Sequence, residues 1–180
     1  MNERLPIKVL YAEDEGYFRS VMAEFLSELT QQVFIAENGL KGLELFRKHH
    51  PDLVITDIAM PVMNGMRMLK EIKKEAPQVR SIITTSYGET DYFIEAIELG
   101  VDRFILKPFE NKALYTMIRD LASGILHEIR LEQEEENRRI TEIKLRESEL
   151  QFRILFESAP QPIILRSEEH TSELQSRITI

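Results

Sequence analysis

The chain has 180 residues, with 31 acidic side chains against 23 Lys and Arg, four histidines and no cysteine. That length suits one ordinary domain plus a smaller appendage, and zero cysteines exclude a disulfide scaffold, thiolate metal sites and a cysteine nucleophile. A formal charge of −8 argues against nucleic acid or an anionic membrane as partner of the whole chain. No run approaches the roughly 20 apolar residues of a membrane helix, and no apolar leader stands at the N-terminus, so a cytoplasmic protein is expected.

Short runs rich in Val, Ile, Phe and Thr predict strands at Lys8–Ala12, Gln32–Ala36, Leu53–Thr56, Ser81–Thr85 and Arg103–Leu106. Most lack polar alternation, as strands buried on both faces do. Helical spacing fills the gaps. It joins Phe18, Val21, Met22, Phe25, Leu26 and Leu29, then Leu40, Leu43 and Phe46, then Leu69 and Ile72. Phe93, Ile94 and Ile97 follow, and Leu114, Met117, Ile118 and Leu121 close the series. Strands alternating with helices predict parallel βαβ units and a doubly wound five-stranded α/β sheet.

Between Gly124 and Pro160 there is neither Gly nor Pro, which predicts one long helix. With Leu126 at heptad position a, the seam reads Leu126, Ile129, Gln133, Glu136, Ile140, Ile143, Glu147, Leu150 and Ile154. Its polar members cluster in the middle, as in a weak coiled coil suited to a homodimeric connector. The plainer alternative is a solvated single helix.

In doubly wound sheets the site lies beyond the carboxyl ends of the strands. There the sequence places Glu13-Asp14, Asp57, Thr85 and Lys107-Pro108. Three crowded carboxylates repel one another, and a hard divalent cation, best Mg²⁺, relieves the repulsion. An Asp can take a phosphoryl group as an acyl phosphate; Lys107 offers a point charge to its oxygens and Thr85 a hydroxyl donor. Each residue alone has a bland reading, as helix cap, turn residue or punctuation. Their convergence on one sheet edge is what independent turn residues would not produce.

On these residues, and on the stretch T-D-I-A-M-P-V-M-N-G around Asp57, the chain resembles the receiver domain of two-component response regulators from residue 5 to about 122. The resemblance implies a flavodoxin-like receiver fold and Asp57 as phosphoacceptor. It also implies Mg²⁺ on Asp14, Asp57 and the Ala59 carbonyl, with Glu13 acting through water. Lys107 would hold the phosphoryl group, its bond to Pro108 cis; Thr85 and Phe104 would switch together. Ser86 departs from the usual Ala or Gly. Ala59 and Tyr87, beside the path of a hydrolytic water, imply a long-lived phosphoryl group. The implied partner is a sensor histidine kinase or phosphotransfer protein. Two alternatives stand beside this: an aspartyl-phosphate phosphatase, which needs a second Asp where Ala59 stands, and a degenerate receiver serving only as an interaction domain.

The expected division is a receiver at 1–122, a helical connector at 123–157, the start of a truncated PAS-like domain at 158–165 and a non-native tail at 166–180. The stretch from Arg146 to Leu165 resembles a PAS entrance, and the tail resembles a translated sequencing adapter. A longer protein is therefore expected, in which a histidine kinase or a diguanylate cyclase are both open as output; for the chain itself no enzyme activity is expected beyond self-phosphorylation and self-dephosphorylation. His127-Glu128-Ile129-Arg130 resembles a histidine kinase phosphotransfer box without its Thr-Pro, and a surface position is the preferred reading.

Overall fold

The computed structural model of the protein describes residues 4–86 and 92–158. Tyr87, the PAS-like stretch from residue 159 on and the tail at 166–180 lie outside the described residues. In chain order the elements are β1 (Leu5–Ala12), α1 (Gly16–Leu29), β2 (Thr30–Ala36), α2 (Gly39–His49), β3 (Leu53–Asp57), α3 (Gly65–Glu75), β4 (Arg80–Thr85), α4 (Tyr92–Glu98), β5 (Arg103–Leu106) and α5 (Asn111–Ser158).

The strands form one parallel sheet in the order β2-β1-β3-β4-β5. The order reverses between β1 and β3, and their register sets Ala12 against Thr56. Next door Asp57 faces Thr84, and Thr85 faces Leu106. Because side chains alternate across a strand, each strand feeds two apolar layers. Leu10, Val54 and Ile83 meet Leu43, Phe46, Leu69 and Ile72 of α2 and α3 on one face. Val9, Tyr11, Ile55 and Ile82 meet Met22 and Leu26 of α1 and Leu114, Ile118 and Leu121 of α5 on the other. The doubly wound, flavodoxin-like expectation is met.

Local chemistry starts the helices where the chain leaves the sheet. The Asn38 carboxamide accepts from the Lys41 N–H at 2.9 Å, and that of Asn64 accepts from Arg67 at 2.8 Å, capping α2 and α3. The apolar pattern of α4 misleads, because Ile94 and Ile97 are 71% and 70% exposed and only Ala96 is buried. In α1 the stripe likewise splits: Met22 and Leu26 are buried, whereas Phe18 and Val21 are each 42% exposed. Periodicity finds a helix but does not say how much of its apolar stripe the sheet covers.

The chain divides into two compact units, residues 1–134 and 135–180. In the first, α5 stays on the sheet past Leu121, with Ala122 and Ile125 buried and Leu126 and Ile129 packed on the same layer. The Arg80 guanidinium binds Asp102 at 3.1 Å and also Glu128 of α5. In the second, the helix continues to Ser158 with Ile140, Ile143, Leu150 and Ile154 exposed. Among the described residues no helix is long and apolar enough to cross a membrane.

Gly65 is where α3 meets the sheet edge: a Cβ there would collide with the carbonyl oxygen of Asp57 and crowd the Thr56 hydroxyl. Gly65→Ala is expected to cost about 3 kcal/mol by overpacking against backbone that cannot yield. Gly124→Ala, in α5 with open space at the same point, is expected to add up to about 1 kcal/mol through helix propensity. Urea denaturation of the two variants checks the contrast.

Candidate functional site

The reversal of strand order leaves a gap between the ends of β1 and β3, and the acidic residues fill it. The Glu13 N–H donates to the Ala36 carbonyl at 3.0 Å, carrying β1 one step further along β2. Arg19 of α1 donates to the carbonyls of Glu13 and Asp14 at 2.9 and 2.8 Å, fastening the turn. The N-cap of α1 is Glu15, which makes no side-chain capping bond, so helix capping is not what the Glu13-Asp14 pair does. Glu13 is 1% exposed, while Asp14 opens to solvent.

β3 is buried along its whole length and ends in Asp57. One carboxylate oxygen, Oδ1, accepts the Ile58 N–H at 2.8 Å. The other, Oδ2, accepts from the Lys107 ammonium at 3.0 Å, and the same Nζ donates to Glu13 Oε2 at 2.7 Å. One cation therefore joins two buried anions delivered by different strands. A buried charge left unpaired is costly, so both carboxylates depend on Lys107.

Burial pushes the Asp57 carboxyl above its ordinary range, and the neighbouring Glu13 charge adds to this against the pull of Lys107. Burial alone would lower the Lys107 ammonium; hydrogen bonds to Glu13 and Asp57 outweigh it and leave Lys107 above its usual value.

Oxygens of Glu13, Asp14 and Asp57 lie within 4.8 Å of one another, and the described residues hold no second cluster of this kind. Three hard oxygen donors with no imidazole or sulfur suit Mg²⁺ better than a softer metal. Phe18, Ser86 and Pro108 complete the cleft around them. The Phe18 ring centroid is 5.7 Å from Lys107 Nζ.

Thr85 ends β4 in a buried position, and its carbonyl accepts the Lys107 N–H at 2.7 Å, tying the two residues through backbone. Lys107-Pro108 is cis, as the resemblance implied. Phe104 packs on the α2–α3 side with its ring 5.2 Å from that of Phe93. Ala59 is exposed on the loop after Asp57. His49 and His50 pack on aromatic rings instead: His49 stacks on Phe34 at 4.1 Å and His50 meets Phe46 edge-on.

Two residues at the site escaped the sequence reading. Phe18 passed as one more apolar helix position. Tyr11 passed as part of an apolar strand, yet its hydroxyl donates to Glu13 Oε2 at 3.1 Å. The signal was available, since Tyr11 and Glu13 are two apart and share a strand face.

Asp57→Asn keeps the shape and removes one of three clustered charges, while Lys107 keeps Glu13. In metal-free buffer the variant is expected to be more stable than the parent by about 1 kcal/mol. With the Asp57 carboxyl raised, its charged form is the one the fold disfavours. That penalty is present above the raised pKa and fades as pH falls through it. The advantage of Asn should be largest near neutrality and shrink on acidification, as urea curves at several pH values will show.

The chain matches the family model of the response regulator receiver domain over residues 9–119. It is 37% identical over 118 residues to a probable transcriptional regulator, ycf27, of Galdieria sulphuraria, a match covering 66% of this chain and 46% of that protein. The matched stretch is thus about half the length of that relative. It is 38% identical over 110 residues to sporulation initiation phosphotransferase F of Bacillus subtilis, covering 61% of this chain and 86% of the relative. A crystal structure of the N-terminal domain of an uncharacterized Wolinella succinogenes protein superposes with a TM-score of 0.65 at 36% identity, covering 68% of this chain and 98% of that one.

Proposed function

This chain belongs to the response regulator receiver family, and we propose that it accepts a phosphoryl group on Asp57 from a sensor histidine kinase or phosphotransfer protein and passes the change on through α5. The observation that carries this reading is the Lys107 ammonium held between Asp57 and Glu13. A cation so placed can follow the negative charge from carboxylate to phosphoryl oxygens without leaving the cleft. The phosphotransferase relative supports phosphoryl transfer as the chemistry.

A carboxylate oxygen of Asp57 attacks phosphorus. The new O–P bond forms as the bond from phosphorus to the donor breaks, and the donor leaves with the electron pair. Lys107 exchanges Asp57 for a phosphoryl oxygen, and the Thr85 hydroxyl donates to another. Thr85 moving inward leaves space that Phe104 takes up. Glu13, Asp14, Asp57 and the Ala59 carbonyl would hold Mg²⁺, which when bound neutralises charge on the phosphoryl oxygens. Ala59 has no proton to offer a leaving group, which favours an acceptor over a multiple-turnover phosphatase.

Acetyl phosphate with Mg²⁺ is expected to add one phosphoryl group to the intact chain, and none to Asp57→Ala. Intact-mass measurement decides; equal labelling of the variant contradicts the assignment.

Within this reading residues 1–122 are the receiver and 123–157 the signalling connector, which pairs with a second copy along Ile140, Ile143, Leu150 and Ile154. The start of a truncated PAS-like domain follows at 158–165, and 166–180 are a non-native tail. Whatever output module the longer protein carries receives its signal through α5, with neither nucleic acid nor membrane bound directly. Phosphorylation is expected to change the association constant, or the cross-linking pattern of single cysteines placed along 140–154. Sedimentation velocity and disulfide mapping with and without acetyl phosphate test this, and identical results in both states contradict it.

A further inference from the structure

Tyr11 carries a hydroxyl into an apolar layer. It is 1% exposed, in the apolar layer with Ile55, Leu114 and Ile118. A phenylalanine would fill the same space without burying a polar atom, whose desolvation is repaid only by a hydrogen bond. That bond goes to Glu13 Oε2, at 3.1 Å. The same oxygen accepts from Lys107 Nζ at 2.7 Å, so two donors of different character converge on one acceptor.

Their difference is mobility. Lys107 sits at the end of a flexible stem, at the edge of an open cleft and beneath the Phe18 ring. On the phosphoacceptor reading, on which this inference rests, its ammonium turns toward the phosphoryl oxygens and loosens its hold on Glu13. Tyr11 projects from the middle of the sheet, with its ring enclosed. Glutamate has one more rotatable bond than aspartate, so its carboxylate needs an anchor that stays.

We propose that Tyr11 is a positioning residue for Glu13, its buried hydroxyl fixing the longer carboxylate at the place where a divalent cation is held. Among the described residues no buried side chain donates to the Asp14 carboxylate: Asp14 is exposed, and Arg19 binds its backbone carbonyl. The anchor is therefore specific to the glutamate, and an aspartate at residue 13, shorter by a methylene, would fall short of the hydroxyl.

The test is a double-mutant cycle on the full chain with Tyr11→Phe, Glu13→Asp and both together, read by calorimetric titration with Mg²⁺. Tyr11→Phe is expected to weaken Mg²⁺ binding by about tenfold, the usual scale for losing an outer hydrogen-bond partner of a ligand. In the Glu13→Asp background the same change should cost less than about twofold, because the pair is already broken. Mg²⁺ should also perturb the near-ultraviolet tyrosine absorbance of the parent and do so less in Glu13→Asp, a readout that does not require Tyr11→Phe to fold. Unchanged Mg²⁺ affinity in Tyr11→Phe, equal losses in both backgrounds, or the same absorbance change in parent and Glu13→Asp would overturn the proposal and leave Tyr11 a packing residue. Labelling of the parent by acetyl phosphate is scored separately. Its failure strikes the phosphoacceptor reading, whereas the calorimetry strikes Tyr11 alone.

Discussion

Everything at the functional edge depends on one ammonium shared between two buried carboxylates. Lys107 comes from the end of β5, Glu13 from β1 and Asp57 from β3, and hydrogen bonds of 2.7 and 3.0 Å join them. Taking three charges out of water is expensive, and removing the shared ammonium would leave two buried anions unpaired. The trio therefore holds three strand ends to a common geometry. It also carries an excess of negative charge, because Asp14 stands beside it. An excess of this kind favours a hard divalent cation bound by the three carboxylates.

The rest of the fold keeps that cluster in place. Two apolar layers clamp the sheet, so the strand ends have little freedom. The loop after Asp57 is forced close by Gly65, whose missing side chain lets α3 approach the Asp57 carbonyl. In the same loop Val62 adopts φ 68°, a left-handed conformation that β-branched residues rarely take. On the opposite edge, Arg80 at the start of β4 binds Asp102 and Glu128, so the strand that ends in Thr85 is tied at its other end to α5. β4 thus runs from an ion pair with α5 at its start to the buried Thr85 at the edge of the site.

Much of this was legible in the sequence because parallel strands buried on both faces read as unbroken apolar runs. Glu13, Asp14, Asp57, Thr85 and Lys107 were legible for a related reason: doubly wound sheets place function at strand ends, so reading the residue after each run is enough. Element ends were less clear. β1 begins at Leu5 rather than Lys8, because Leu5 pairs with Thr30 across a break in register that Pro6 and Lys8 conceal. The exposure of Ile94 and Ile97 was hidden because an apolar stripe on a helix looks the same whether a sheet or solvent covers it. Tyr11 was missed for the opposite reason: its ring belongs to the core, and only its hydroxyl belongs to the site.

The chemistry proposed for Asp57 forms an acyl phosphate on one carboxylate. Borohydride reduces an aspartyl phosphate to homoserine and leaves free carboxylates untouched. The chain should therefore be treated with acetyl phosphate and Mg²⁺, quenched with borohydride, digested and sequenced by mass spectrometry. Homoserine at position 57 and at no other aspartate is the predicted result. Homoserine at Asp14 or Asp52, or none in a sample whose intact mass shows phosphorylation, would contradict it.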